Sequence, residues 1–295
     1  MATLRSLLAA REFIVAPGVY EMMSARIADS MDFKALYMTG YGVSVSHLGL
    51  ADAGLVTYRD MVERARTIAG GISKPLIADA DTGFGGLINI RETVRGYEAA
   101  GVQAMQIEDQ EMPKKCGHTP NRRVVPLKDM LKRIEVALDS RRSKDFLVIA
   151  RTDARTAHGI DEAIARGKAF AKAGADIVFV ESPESAEEFR KVGADLGGTA
   201  WLLAKMGPPG PTPGGSRRSL APMGLATPPS SRFSVGPISQ TVARSISMLR
   251  KSPSGAHLTR SSTESAPCIK NSRWCLSSRS FKTCSSAMKP EKAVG

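Results

Sequence analysis

Acidic residues all but disappear after position 204. Residues 205–295 hold 14 Lys+Arg and only 2 Asp+Glu, whereas residues 1–204 hold 27 of each, so the formal net charge of +12 resides wholly in the tail. That distribution excludes a basic, nucleic-acid-binding surface as the compositional reading of the first two-thirds. Cysteine is just as scarce: Cys116 is the only one before Cys268, Cys275 and Cys284. No disulfide framework can hold residues 1–204 together, and a reducing, cytoplasmic setting is expected. Long apolar runs are missing too. The N-terminal segment meets Arg11 and Glu12 before it could serve as a secretory core, so neither a signal peptide nor a membrane span is expected. Aromatic residues are 5% of the chain, and the tail contains only Trp274, Phe233 and Phe281. Without interleaved aromatics or RGG repeats it lacks the stacking platforms of a single-strand binder, and no specific nucleic-acid partner is expected.

What the first 204 residues do have is a repeat of apolar, β-branched runs: FIVAPG, ALYMTG, PLIADADTG, AMQIED, FLVIARTD, DIVFVES and AWLLA. Between most of them lie segments of helical period, among them YRDMVERARTIAGG, NIRETVRGYEAAG, LKDMLKRIEVALDS and DEAIARGKAFAKAG. Strand alternating with helix implies parallel strands. Seven such units suggest a (β/α)8 TIM-type barrel, incomplete after the seventh strand, with an open doubly wound sheet as the alternative. The domain organisation follows the composition. Residues 1–204 form the barrel domain, and residues 205–295, with 19 Ser and 11 of the 17 Pro, form a basic tail expected to be disordered.

Polar residues recur where these strands end: Thr39, then Asp79 and Asp81, Glu108 and Asp109, Arg151 and Asp153, and Glu181. In a barrel all strand C-termini open onto one mouth, so such groups converge there. Any one acid could instead cap the next helix, but five strand ends are harder to explain that way, and arginine is a poor cap. Asp79 and Asp81, at i and i+2, suit a hard cation held through carboxylate oxygen and water. Mg2+ is the natural choice, with Mn2+ as a substitute, and Asp52 and Glu108 supply further carboxylates. The glycines of GFGG match neither phosphate-binding spacing. Facing the acids are Arg151, Lys114, Lys115, His118 and Arg122, a combination suited to small di- or tricarboxylates. His118 and His47 are candidate ligands or bases, although a histidine beside a loop is more often a solvated side chain. The stretch KKCGHTPNRR sets Cys116 between cations that favour a thiolate, in a segment polar enough to be an exposed loop. The thiol is a candidate acid or base, or a chance cysteine on a basic surface.

In this order, YMTGYGVSVSHLGLAD, ADADTGFGG, QIEDQEMPKKCGH, IARTDAR and VFVES resemble the isocitrate lyase/phosphoenolpyruvate mutase superfamily. Over about residues 5–204 the likeness is greatest to its short members, the 2-methylisocitrate and 2,3-dimethylmalate lyases. The resemblance implies that Asp79 contacts Mg2+, with Asp81, Asp52 and Glu108 completing a water-bridged shell. It implies that Tyr37, Thr39, Gly40 and Tyr41 line the pocket, and that Arg151 and Glu181 bind and orient the substrate. Lys114, Lys115, Cys116, Gly117 and His118 become a mobile gate with Cys116 as catalytic thiol, and Tyr37 a partner for the substrate's hydroxyl proton. The implied reaction cleaves a small 2-hydroxy di- or tricarboxylate to pyruvate and a second carboxylate. A thiol acid favours the lyase over a mutase or phosphonate hydrolase, such as a carboxyvinyl-carboxyphosphonate phosphorylmutase-like enzyme, while an oxaloacetate decarboxylase, which uses the same metal floor, is the alternative on the same scaffold. A homo-oligomer is the family's expected state.

The likeness stops at LLAKMGPPGPTPGG, where Lys205 stands in place of the asparagine the resemblance predicts. A reading-frame change would give so abrupt a switch to Ser/Arg/Pro-rich sequence, and the other frames of the coding DNA would show it. Loss of the last units would expose the flanks of the first and sixth strands and remove helices that support oligomers. An inactive, truncated enzyme whose tail binds anions nonspecifically is the competing reading.

Overall fold

Alternate residues of a strand face opposite ways, and in this protein that parity divides the core in two. The computed structural model describes residues 2–11, 13–117, 119, 121–205 and 223–226, the last four by backbone alone, and all belong to one unit, Met1–Ile238. Helix α1 (Leu4–Ala9) leads into β1 (Ile14–Ala16), β2 (Gly18–Val19), α2 (Met22–Asp29), β3 (Leu36–Met38) and α3 (Gly40–Val43). A π-helical turn, Ser44–Leu48, precedes α4 (Tyr58–Gly71), β4 (Leu76–Asp79), α5 (Leu87–Ala99) and β5 (Ala104–Glu108). Then come α6 (Leu127–Ser140), β6 (Leu147–Thr152), α7 (Ala154–His158), α8 (Ile160–Lys172), β7 (Ile177–Val180), α9 (Ala186–Leu196), β8 (Trp201–Lys205) and β9 (Met223–Ala226).

Strands β2 to β8 pair in chain order and all run parallel, a seven-stranded α/β barrel that stops short of its eighth parallel unit among the described residues. The seventh strand is present, and its outer edge is not bare. β9 lies antiparallel to β8 on one side and to β1 on the other, with Leu225 opposite both Leu203 and Ile14. Only Pro17, whose carbonyl accepts from Tyr37 N at 3.0 Å, separates β1 from β2. The ladder therefore returns through β9 and the N-terminal chain to the strand where it began. The expected exposed flanks are replaced by this antiparallel pairing, because unpaired strand edges are costly and any extended segment within reach can satisfy them. The remainder of the tail lies outside the described residues, as do the expectations of disorder and anion binding made for it.

Inward-facing Tyr37, Ile77, Ala104, Leu147, Ile149, Ile177, Phe179 and Leu203 form one buried cluster, closed from below by Leu4 and Leu8 of α1. Leu4 N donates to Gln103 Oε1 at 2.7 Å just before β5, which fixes that plug at the N-terminal end of the strands. Outward-facing Leu36, Met38, Ala78, Met105, Val148, Ala150 and Val178 meet the helices in a second cluster. Helical spacing supplies the other half: α4 buries Met61, Val62, Ala65 and Ile68, and α6 buries Met130, Ile134 and Ala137. With the bottom plugged and the flanks covered, the C-terminal ends of the strands are left to carry polar groups.

Candidate active site

The same parity delivers the site. Two residues beyond the inward Ile77, Ile149, Phe179 and Leu203 come Asp79, Arg151, Glu181 and Lys205, and Ala104 is followed on its inward face by Gln106 and Glu108. Asp79, Glu108, Arg151 and Glu181 are all at least nine-tenths buried. On the floor, Tyr37 Oη donates to Gln106 Oε1 at 2.7 Å, and Gln106 Nε2 donates to Asp79 Oδ1 at 3.2 Å. Gly40 N reaches Asp79 Oδ2 at 3.3 Å, and a β-carbon at Gly40 would stand 2.9 Å from that oxygen, so glycine is what allows the approach. Thr39 spends its side chain on Gly42 N as the cap of α3. Burial, then the charge of Asp79, raises the Tyr37 pKa well above 10, so Tyr37 is a neutral donor to Gln106 here.

The gate segment is not the exposed loop its polarity suggests. Lys114 is 3% exposed, with Nζ 2.5 Å from Asp52 Oδ1 and 2.5 Å from Asp81 Oδ1. Burial alone would lower its pKa, but the surrounding carboxylates, Asp81 and Glu108 first, raise it well above 10.5, so the ammonium stays charged. Its burial is possible because the counter-charges are already there. Gln110 clamps the segment from beneath, donating to Lys115 O at 2.9 Å and accepting from Lys115 N at 3.0 Å. Cys116 N donates to Asp52 O at 3.1 Å. Gly117 then lies on the far wall, where an added β-carbon would stand 2.4 Å from Arg151 Nη2 and 2.9 Å from Glu181 Cδ. The half-buried Cys116 is thus held between two anchors, one on the carboxylates and one on the arginine.

Other expected residues stand apart. Arg151 is committed: it grips Asp153 through Nε at 3.0 Å and Nη2 at 2.8 Å, and lies 3.4 Å from both Glu108 and Glu181. Lys115 is exposed and turns to Asn121 O at 3.2 Å, and Tyr41 is 37% exposed at the rim. Buried Arg122 is structural, bound to Asp153 at 2.7 Å and to Thr156. Asp109 faces outward to Thr152, Asp153 N and Arg166, tying β5 to α8. His47 meets Asp60 at 3.4 Å on the outside, and His118 lies outside the described residues. Sequence reasoning missed Gln106, Gln110 and Lys205. Gln106 and Lys205 carried a signal, their inward parity with Glu108 and with Leu203.

Among the described residues no three of His, Cys, Asp and Glu converge as a closed metal site. The donor chemistry nevertheless fits a hard divalent ion held by few direct contacts and through water. Asp81 Oδ1 is buried with no hydrogen bond of good geometry, its neighbour being the Lys114 ammonium. Burial outweighs that ammonium, and Asp79 and Asp52 add to it, so Asp81 is pushed up to about 6. Burial likewise pushes Glu108 well above 4.5 despite Arg151. One ammonium is too little positive charge for Asp52, Asp79 and Asp81 together, and Glu108 shares the Arg151 guanidinium with Asp153 and Glu181.

Comparison with known proteins identifies the family. The chain matches the phosphoenolpyruvate phosphomutase family over residues 4–243. It belongs to the phosphoenolpyruvate mutase/isocitrate lyase superfamily. Relatives in that superfamily include the 2,3-dimethylmalate lyase of Eubacterium barkeri, 50% identical over 212 residues that cover 72% of this chain and 73% of the relative. The 2-methylisocitrate lyase of Aeropyrum pernix is 44% identical over 210 residues, covering 71% and 67%. A solved 2,3-dimethylmalate lyase superposes with a TM-score of 0.67 at 37% identity, covering 85% of this chain and 86% of that one. The chain is a carbon–carbon lyase of this superfamily.

Proposed function

We propose that the protein cleaves the C2–C3 bond of a small 2-hydroxy di- or tricarboxylate, of the 2,3-dimethylmalate or 2-methylisocitrate type, to pyruvate and a second carboxylate. The reading rests on one observation above others: the gate is seated at both ends, at Lys114 on Asp52 and Asp81 and at Gly117 on Arg151, with the thiol of Cys116 between. The carboxylate-rich floor supports a requirement for Mg2+, replaceable by Mn2+. Asp79, steered by Gly40 N and Gln106, would hold the ion, with Asp81, Asp52 and Glu108 around its waters. When bound, the ion supplies Lewis-acid stabilisation of the charge on the substrate's oxygen and carboxylate.

The chain's own residues supply the rest. Gln106 fixes the donor atoms of the floor, and Tyr37 fixes Gln106. As C2 becomes a carbonyl, its hydroxyl proton passes to the Glu108 carboxylate, whose raised pKa suits it to hold a proton, and the electron pair of the broken bond passes to the carbon bearing the second carboxylate. Cys116 Sγ delivers a proton to that carbon, so one proton leaves oxygen and one reaches carbon in each turnover. The seated gate excludes water that would compete for the carbanion.

Pyruvate release from 2,3-dimethylmalate, 2-methylisocitrate and oxaloacetate, measured with the full chain with and without Mg2+, tests the proposal. Mg2+-dependent release from one of the two 2-hydroxy acids, lost in Cys116→Ala, is the expected result. Release from oxaloacetate alone would replace it with the decarboxylase reading.

A further inference from the structure

We infer that Gln110 is a positioning residue whose one side-chain amide, at the neck of the gate, both latches the gate and orients the Glu108 carboxylate, so that the two are set together. The inference rests on the lyase reading above and deepens it. The neck is anchored through its backbone. Gln110 forms an antiparallel bridge with Val124, Glu111 N donates to Arg123 O at 2.9 Å, and Val125 N donates to Asp109 O at 2.8 Å. Arg133 Nη1 braces it from α6, 3.2 Å from Glu108 O and 3.4 Å from Gln110 O. From this base the buried Gln110 side chain reaches across the loop to Lys115.

The orientation of that amide is decided by its neighbours. Nε2 has two hydrogens and two acceptors, Glu108 Oε1 and Lys115 O, each at 2.9 Å, while Oε1 accepts from Lys115 N at 3.0 Å. Exchanging oxygen and nitrogen would set the oxygen against two acceptors and the nitrogen against a donor. The Glu108 carboxylate is divided as a result, with Oε1 on Gln110 and Oε2 3.4 Å from Arg151 Nη1. Lys115 precedes Cys116, so the amide that turns the carboxylate also holds the neighbour of the thiol. Lifting the gate breaks the two Lys115 bonds and leaves the anchored neck in place. The amide then keeps a buried donor and acceptor unmet, and nothing fixes which way it faces Glu108. Seating the gate therefore orients Glu108, and an oriented Glu108 favours seating. A competing route runs from Glu108 through Arg151 to Gly117, and it leaves Gln110 out.

The test follows alkylation of Cys116 by iodoacetamide in the full chain, read by mass spectrometry on the peptide that holds it, since Cys268, Cys275 and Cys284 are thiols too. Gln110→Met, which keeps the length and loses the hydrogen bonds, should speed alkylation by about tenfold, the size of one to two such bonds. Gln110→Glu, also of equal length, sets a carboxylate against Glu108 and Lys115 O and should speed it further, whereas a residue that only fills space would leave Gln110→Glu like wild type. Glu108→Ala should speed alkylation in wild type and add nothing in Gln110→Met. Thermal melting identifies any variant that is unfolded, and Glu108→Gln, which keeps the volume, serves where Glu108→Ala fails. In pyruvate release Gln110→Met should lower kcat by about tenfold with KM little changed, because Gln110 orients Glu108 and the gate without touching substrate. An unchanged alkylation rate in Gln110→Met, or an equal effect of Glu108→Ala in both backgrounds, overturns the inference, the latter in favour of the route through Arg151. If the alkylation pattern holds but no 2-hydroxy acid is cleaved, the lyase reading falls and the coupling stands. Pyruvate release without the alkylation pattern keeps the lyase reading and removes Gln110.

Discussion

Gly117 leaves no room for a side chain where the gate meets Arg151, a β-carbon there standing 2.4 Å from the guanidinium. Gly117→Ala should therefore keep the gate from seating. The expected signs are faster alkylation of Cys116 by iodoacetamide and a kcat lowered by roughly a hundredfold, the cost of displacing a catalytic group by about an ångström. Cys116→Ala should lower pyruvate formation by about 10²–10⁴-fold with little change in melting temperature, because the half-buried thiol contributes proton transfer and little packing. Asp153 behaves in the opposite way. It is fully buried and pairs with both Arg151 and Arg122, so Asp153→Ala strands Arg122 and removes the two-point partner of Arg151. A loss of about 3–5 kcal/mol in urea unfolding is expected, where a purely catalytic role would leave stability unchanged.

At the scale of the element, α4 shows how a helix that never touches the site is held in register. Its start is a reciprocal box: Thr57 Oγ1 accepts from Asp60 N, and Thr57 N donates to Asp60 Oδ2 at 2.9 Å. Thr57→Ala should cost about 1 kcal/mol. Hydrogen bonds from the Thr57 side chain and then its backbone hold the Asp60 pKa below its ordinary 3.8, with His47 nearby adding to the effect. A depressed folded pKa means stability that is complete above the unfolded value and lost as pH falls through the folded one. Unfolding between pH 5 and pH 2 should show that loss, and Asp60→Asn should remove it. The gate is the contrasting element. It has no ladder of its own and depends on Lys114, Gln110 and Gly117 for position, as a segment that must open requires.

For the whole molecule the decisive feature is the return of the sheet through β9. Seven parallel strands alone would leave two edges, and Met223–Ala226 pairs with Trp201–Lys205 at one and with Ile14–Ala16, which leads through Pro17 into the first parallel strand, at the other. Deleting residues 223–226 from the full chain should speed hydrogen exchange at the amides of 14–16 and 202–205. Exchange at β5 and β6, which pair with each other in mid-sheet, should change far less. Equal protection before and after the deletion would mean that the strand contributes nothing to closure.

Local rules determined much of this protein from sequence alone. Period-2 alternation put Asp79, Glu108, Arg151 and Glu181 on one inner face and at one end, since the geometry of a strand allows no other placement two residues apart. Helical spacing and caps set the outer ring in the same way. Long-range electrostatics were not local and could not be read so. Whether Lys114 is buried depends on Asp52 and Asp81, and Arg151 is spent on Asp153. The charge at the β7–β8 corner arises only where Lys205 meets Glu181 across a ladder. A charge is stable in the interior only beside its partner, and partners distant in sequence are brought together by the tertiary structure alone.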